Sequence, residues 1–190
     1  GTIQISALLK EKGYRIQFFD NCLNDDPRKI NAVIKEFQPD YLLIYDDGFN
    51  YLTKMCLTSM RDAAYTMASL GQTAKAKVII SSSDSSDRFD QYLQNGVDYV
   101  IMGEGDATVV ELLSMLDQGF EPDEVAGLTY LNSDLQVNRT VKRSVLQKLD
   151  DLPLAAWDLV DMEAYRNIWI ANHGYFSVNI ATTRGCPYKC

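Results

Sequence analysis

The sequence predicts an α/β fold, a Rossmann-like (flavodoxin-like) doubly wound parallel sheet. Three observations predict it. Short and nearly continuous apolar runs, such as Tyr41-Leu42-Leu43-Ile44-Tyr45, belong to strands covered on both faces. These runs alternate with segments whose apolar residues recur every three or four positions, the helical period. Polar and glycine-bearing loops follow the strands, as right-handed βαβ crossovers require.

Each element has its own signature. Gly1 to Gly13 reads as a helix with Ile5, Leu8 and Leu9 on one face and Gly13 as its C-terminal cap. Tyr14 to Phe19 is a β-rich run that closes at Asp20. Helix returns at Pro27, with Ile30, Val33, Ile34 and Phe37 together, until Pro39 breaks it. After strand 41–45 and the loop Asp46 to Asn50, a long helix runs from about Leu52 to Leu70. Its apolar positions include Met55, Cys56, Met60, Ala63, Ala64 and Met67, so Cys56 is expected to be a buried free thiol. Lys77 to Ile80 is the next strand and ends in Ser81-Ser82-Ser83-Asp84. A helix from about Ser86 to Asn95 follows, capped by Gly96, then strand Tyr99 to Met102. The turn Gly103-Glu104-Gly105 opens a helix with Val109, Leu112, Leu113 and Leu116 facing inward.

The pattern changes after Gln118. Gly127 to Leu131 and Leu135 to Asn138, joined by Asn132-Ser133-Asp134, form a β-hairpin. Leu149 to Leu159 mixes proline, aspartate and a tryptophan anchor with little Gly or Ser, and reads as a docked linker. The domain division is therefore 1–140 for the Rossmann-like domain, 141–174 for the linker and 175–190 for the start of a further domain. A doubly wound sheet normally opens with a strand, whereas this sequence opens with a helix. A first strand upstream of Gly1 is expected, and its loss would leave unpaired backbone edges.

Composition narrows the function. The 190 residues suffice for one ordinary domain and a piece of another, and 46% hydrophobic against 23% charged residues supports a real core. A formal charge of −8 argues against a nucleic-acid surface. No apolar run approaches the ~20 residues of a membrane helix. Four cysteines without a dense framework fit a reducing cytoplasm.

Ligands of doubly wound sheets bind at the carboxyl ends of the strands. Three loops sit there: Asp46 to Asn50, Ser81 to Asp84, and Gly103 to Gly105. The candidate contacts are Asp47, Phe49, Asn50, Ser81, Ser82, Ser83, Gly103, Glu104 and Gly105. Small residues let a large ligand approach the backbone, and hydroxyls supply hydrogen bonds. Asp46 and Asp47 read as loop-end or capping residues before acid–base groups, and Phe49 and Asn50 either wall a cavity or staple the next helix. Glu104 either contacts the ligand or caps its helix. The turn is no dinucleotide fingerprint, since position 108 is Thr.

The last stretch is an apolar, β-branched run leading into Thr182-Thr183-Arg184-Gly185-Cys186-Pro187-Tyr188-Lys189-Cys190. Spaced thiols after a strand can hold a cluster or zinc, or can be structural. His173 reads as a linker contact before a metal ligand.

The ordered series Gly-Glu-Gly at 103–105, Leu-Asp-Asp-Leu-Pro at 149–153 and Arg-Gly-Cys-Pro at 184–187 resembles a B12 (cobalamin)-binding domain followed by the start of a radical S-adenosylmethionine (radical SAM) domain. In that superfamily the first strand of a TIM-like partial barrel is followed by C-x3-C-x2-C, and Cys186 and Cys190 match the first two cysteines. The third falls three residues beyond Cys190, so this stretch alone is predicted inactive. The resemblance implies cobalamin, a [4Fe-4S] cluster ligated by Cys186 and Cys190, and S-adenosylmethionine cleaved to a 5′-deoxyadenosyl radical. It also implies a small-molecule substrate, an electron donor such as flavodoxin or ferredoxin, and methyl transfer to an unactivated carbon as one outcome. Two rival readings are a cobalamin-free recognition or scaffolding module of a radical SAM protein, and a receiver or nucleotide-binding domain. The second lacks a lysine in the loop Ile101-Met102-Gly103-Glu104.

Overall fold

The computed structural model describes residues 1–46, 55–178, 180 and 184. Helix α1 (Thr2–Glu11) is followed by α2 (Ile30–Phe37), strand β1 (Tyr41–Tyr45) and the long helix α3 (Leu57–Thr73). Then come β2 (Lys77–Ser81), the short helices α4 (Ser83–Asp87) and α5 (Phe89–Gln94), β3 (Tyr99–Ile101) and α6 (Asp106–Asp117). The hairpin strands β4 (Leu128–Leu131) and β5 (Val137–Arg139) precede α7 (Met162–His173).

The strands form one open sheet in the order β1-β2-β3-β4-β5. β1, β2 and β3 are parallel, while β4 and β5 are antiparallel additions. The predicted hairpin is therefore real, and it extends the sheet instead of standing after it. Alternation along β2 divides the core into two layers, because successive side chains point to opposite faces. Ile79 joins Ile5 and Leu9 of α1 and Val109, Leu112 and Leu113 of α6 on one face. Val78 and Ile80 join Ala64 and Ala68 of α3 and Tyr92 and Leu93 of α5 on the other. The doubly wound class holds.

Four local expectations change. Tyr14 to Phe19 makes no ladder, although burial alternates from Tyr14 to Phe18 as in an extended run. The expected long helix begins at Leu57, and Leu52 lies outside the described residues. Cys56 is therefore the N-cap, ahead of the first helical turn, and is exposed instead of buried. The helix expected over 86–95 is two short ones broken at Arg88. Finally, the linker contains α7, capped by Asp161 accepting from Ala164 N–H at 2.9 Å and ended by Gly174 at φ 77°. Of the expected barrel start at 175–190, only 175–178, 180 and 184 are described, and they form no strand.

The linker is docked as the sequence predicts. Gln4 Nε2 donates to Pro153 O at 2.7 Å, and Ala156 N–H donates to Ile3 O at 2.9 Å. Arg143 Nε donates to Thr108 Oγ1 at 2.6 Å while its guanidinium forks onto Glu111. No helix among the described residues is long and apolar enough to cross a membrane.

One glycine marks how tightly the sheet and α3 approach. A Cβ on Gly71 would lie 2.7 Å from Leu42 Cδ2 and 2.9 Å from Val78 Cγ2. Overpacking of this kind costs about 1–3 kcal/mol, against up to ~1 kcal/mol that alanine gains in a helix interior. Gly71→Ala should lower the urea midpoint with an unchanged denaturant slope, read by circular dichroism.

Candidate functional site

The crossovers carry every loop after β1, β2 and β3 to one edge of the sheet, where ligands of such folds bind. The β1 loop, with the candidates Asp47, Phe49 and Asn50, lies outside the described residues. Cys186 and Cys190 lie outside them too. At the near end of the β1 loop, Asp46 N–H donates to Ser81 O at 3.0 Å, which carries the β1–β2 ladder one residue further.

The three serines after β2 have different surroundings. Ser81 is buried at the strand end, and Ser83 is exposed in the first turn of α4. Ser82 is the cap: its hydroxyl accepts from Ser85 N–H at 2.8 Å, and its own N–H donates to Ser85 Oγ at 3.1 Å. This reciprocal box fixes the exit of the chain from β2. Ser86 then donates to Ile101 O at 3.2 Å, tying the loop to β3. The serine run thus builds the loop from within, and Ser83 is the one whose side chain faces solvent.

Beneath the loop lies a cluster that the sequence reading did not single out. Asp84 is buried and accepts from Arg61 Nε at 2.7 Å, from Arg61 Nη2 at 2.6 Å and from the Tyr92 hydroxyl at 2.8 Å. Tyr92 meets Tyr65 edge-on, with centroids 5.0 Å apart. The Arg61 guanidinium holds the Asp84 carboxyl below the usual carboxylate range against the opposing effect of burial, with Tyr92 assisting. A signal was present, since Asp84 in a serine-rich strand end lies opposite a lone arginine on the apolar-patterned helix.

After β3, Gly103 takes φ 93°, a conformation that favours glycine, and nothing stands within 4 Å of where its Cβ would be. Gly105 is needed for a different reason, because a Cβ there would sit 2.5 Å from the Tyr45 hydroxyl. Glu104 accepts from Leu146 N–H at 2.7 Å, so its carboxylate clasps the linker. Asp106, in the first turn of α6, is buried and receives both arms of Arg184, with Nη2 to Oδ1 at 3.1 Å. That hydrogen bond holds the Arg184 guanidinium above its usual range, against burial. Arg184 opens the Arg-Gly-Cys-Pro stretch, and this pair ties that arginine to the helix turn that follows Gly-Glu-Gly.

His173 meets Trp169 of the same helix, with centroids 4.4 Å apart and the rings tilted at 45°. Among the described residues, no group of three or more His, Cys, Asp or Glu could hold a metal ion.

No protein-family model matches the sequence. It is 27% identical over 195 residues to the uncharacterized methyltransferase PH0819 of Pyrococcus horikoshii, covering all of this chain and 39% of that protein. It is 32% identical over 94 residues to the anaerobic magnesium-protoporphyrin IX monomethyl ester cyclase of Synechocystis sp., covering 50% of this chain and 18% of that one. In fold it is similar to the cobalamin-dependent S-adenosylmethionine radical enzyme OxsB with aqua-cobalamin and S-adenosylmethionine bound, at a TM-score of 0.63 and 20% identity, covering 83% of this chain and 21% of OxsB. It is also similar to the radical S-adenosylmethionine methyltransferase TsrM of Kitasatospora setae with tryptophan and a SAM analogue bound, at a TM-score of 0.62 and 15% identity, covering 86% of this chain and 33% of TsrM. The chain thus spans between 18% and 39% of the length of these proteins. It has the α/β architecture of part of the cobalamin-dependent radical SAM enzymes, as the sequence resemblance implied.

Asp84→Ala removes the carboxylate partner of Arg61, whose side chain keeps 17% of its surface exposed, so the cost falls below the about 3–5 kcal/mol of breaking a fully buried pair. The expected readout is a lower urea midpoint at pH 7. Because the folded carboxyl titrates below the unfolded one, its contribution is complete above the ordinary value of 3.8 and is lost as pH falls through the folded value. Wild type and Asp84→Asn should therefore converge in stability only on acidification below that ordinary value.

Proposed function

We propose that this chain is the cobalamin-binding part of a radical SAM enzyme. The observation that carries the reading is the Arg184–Asp106 pair, which sets the arginine of the cysteine motif against the first turn after Gly103-Glu104-Gly105. A corrin held at the strand ends and a cluster held by the cysteine loop would then be neighbours. Both groups suit the residues present. Gly103 offers backbone with open space around it, as a broad flat ring needs, and the thiols of Cys186 and Cys190 are soft ligands suited to an iron–sulfur cluster.

When bound, cobalamin would supply methyl-carrying cobalt chemistry, and the cluster with S-adenosylmethionine would supply a carbon radical. The chain's own contribution is position. Gly103 and the exposed Ser83 present the surface for the corrin. Ser82 and the Asp84–Arg61–Tyr92 cluster hold the β2 loop in one conformation, so little ordering remains to be done on binding. Asp47, Phe49 and Asn50 complete the wall from the β1 loop in this reading, while Ser81, Ser82, Glu104 and Gly105 shape it from behind. Cys186 and Cys190 would supply two cluster thiolates, with a further ligand from the longer protein. Methyl transfer to an unactivated carbon is the reaction we favour, in keeping with the relatives described as methyltransferases. A small-molecule substrate and an electron donor such as flavodoxin or ferredoxin would complete the cytoplasmic reaction.

Hydroxocobalamin titrated into the protein should co-migrate with it on gel filtration, with a base-off visible spectrum. Absence of any binding at concentrations where micromolar complexes form, about −8 kcal/mol, would instead favour a cobalamin-free recognition or scaffolding module.

A further inference from the structure

The linker helix α7 lies at the edge of the sheet where the ligand loops gather. The path of the chain after α1 places it there. The Tyr14 hydroxyl donates to Asp117 at 2.5 Å, and the hydroxyl of Tyr41, the first residue of β1, donates to the same carboxylate at 2.6 Å. Tyr14 therefore lies at the amino edge. The run from Tyr14 to Phe19 lines one cavity together with β1. At about 3.3 Å per residue an extended run of this length crosses the sheet, so Asp20 and the turn Asn21–Leu23 arrive at the carboxyl edge. There the Tyr165 hydroxyl donates to Asp20 Oδ2 at 2.7 Å, while Asp20 Oδ1 accepts from Cys22 N–H at 2.9 Å. One carboxylate thus fastens α7 to that turn.

The fastening brings aromatic side chains to the site. Trp169 stands one helical turn beyond Tyr165. After the left-handed Gly174 the chain comes back, and Phe176 lies under the Arg166 guanidinium, 5.9 Å from carbon to ring centroid. Tyr165, Trp169 and Phe176 line the same cavity as Asp46 and Ser82, the residues that follow β1 and β2. The cavity accordingly has a wall at the carboxyl edge that none of the three strand-end loops supplies.

Two features of that wall call for a ligand. α7 buries none of its residues, and Trp169 keeps 40% of its surface exposed although it lines the cavity. Exposed apolar surface gathered beside a cavity and rimmed by polar groups marks a binding surface. Asn21 lines the cavity as well, and its Oδ1 is buried with no hydrogen-bond partner among the described residues. A buried acceptor left unpaired is costly, so this one calls for a donor.

We infer that α7 and the turn Asn21–Leu23 form a side wall of the corrin site, with Trp169 packed against the rim of the ring and Asn21 Oδ1 accepting from one of its amide arms. The inference rests on the cobalamin reading above and adds to it residues outside the strand-end loops. The chemistry matches on both counts. A corrin is broad and rigid, with methyl groups and primary amides around its rim. An indole offers a large apolar surface to such a rim, and a primary amide supplies the N–H that Asn21 Oδ1 lacks. Tyr165 is a positioning residue here, since its hydroxyl is engaged by Asp20 and holds the wall in place. Burial, followed by the Asp20 hydrogen bond, holds that phenol above its usual range, so the tie stays intact through the neutral range.

The test titrates hydroxocobalamin into the wild-type chain and into Trp169→Ala, Trp169→Phe, Asn21→Ala and Ile168→Ala, followed by visible absorbance, with folding checked by circular dichroism. Ile168 adjoins Trp169 on α7 and is exposed, but it is not among the residues that line the cavity. Trp169→Ala should weaken binding at least about tenfold, as loss of an aromatic anchor does, and Trp169→Phe should recover part of it. Asn21→Ala should weaken binding about fivefold, one neutral hydrogen bond's worth, and Ile168→Ala should bind as wild type does. Cobinamide, which keeps the ring and amide arms but lacks the nucleotide tail, should show the same losses. Wild-type affinity in Trp169→Ala or in Asn21→Ala overturns the inference, as do losses that vanish with cobinamide. An equal loss in Ile168→Ala also overturns it, because the helix as a whole and not the wall is then at fault. A wild-type chain that binds neither corrinoid overturns the cobalamin reading itself, and this wall with it.

Discussion

Parallel pairing is the constraint on which the rest of this molecule depends. A parallel strand can be reached only by crossing back over the sheet, so every crossover begins at the edge where the strands end, and its right hand decides which face it covers. The loops after β1, β2 and β3 gather on that edge for this reason alone. The opposite edge gathers the helix ends, and there Tyr14 and Tyr41 meet on Asp117, the last residue of α6. Burial, followed by the Asp117 hydrogen bond, pushes the Tyr14 hydroxyl up to about 12. That edge is braced with neutral phenols on one carboxylate, while the carboxyl edge carries the glycines and serines.

The carboxyl edge is not soft for being small-residued. Ser82 and Ser85 exchange hydrogen bonds, Ser86 reaches β3, and Asp84 is clamped by Arg61 and Tyr92. Such a network is worth having only when every member is satisfied, because an unpaired buried charge costs more than the network returns. Here the carboxylate takes three donors and the arginine spends its fork on it. What remains flexible in principle is the Gly103 backbone, which has neither a side chain nor a close neighbour.

The fold was legible because its signals are local. The apolar runs at 41–45 and 77–80, the Gly13 and Gly96 ends, and the Asn132-Ser133-Asp134 turn all act within a few residues. What was not legible depends on partners distant in the chain. Cys56 has the right helical spacing for burial, yet it sits at the N-cap of α3 and is exposed. Tyr14 to Phe19 has strand composition, but a strand exists only when something pairs with it. The hairpin was plain, whereas its attachment to β3 through Val100 and Thr129 is a tertiary fact. The candidate site was half legible in the same sense. Small residues marked the loops, but that Glu104 would spend its carboxylate on Leu146 and that Asp106 would meet Arg184 could not be read from spacing.

The docking of the linker has a mechanical meaning. Arg143, Leu146, Pro153 and Ala156 are each bonded to the body of the domain, and α7 is joined to it where the Tyr165 hydroxyl donates to Asp20 Oδ2 at 2.7 Å. From residue 143 to the end of α7 the chain thus behaves as an outrigger of the sheet and not as a tether. The first residue beyond it with backbone latitude is Gly174, left-handed and with nothing within 4 Å of its missing Cβ. Arg184, ten residues beyond that glycine, is held on Asp106. A turn at Gly174 therefore requires that ion pair to give way, and the pair acts as a latch on the pivot.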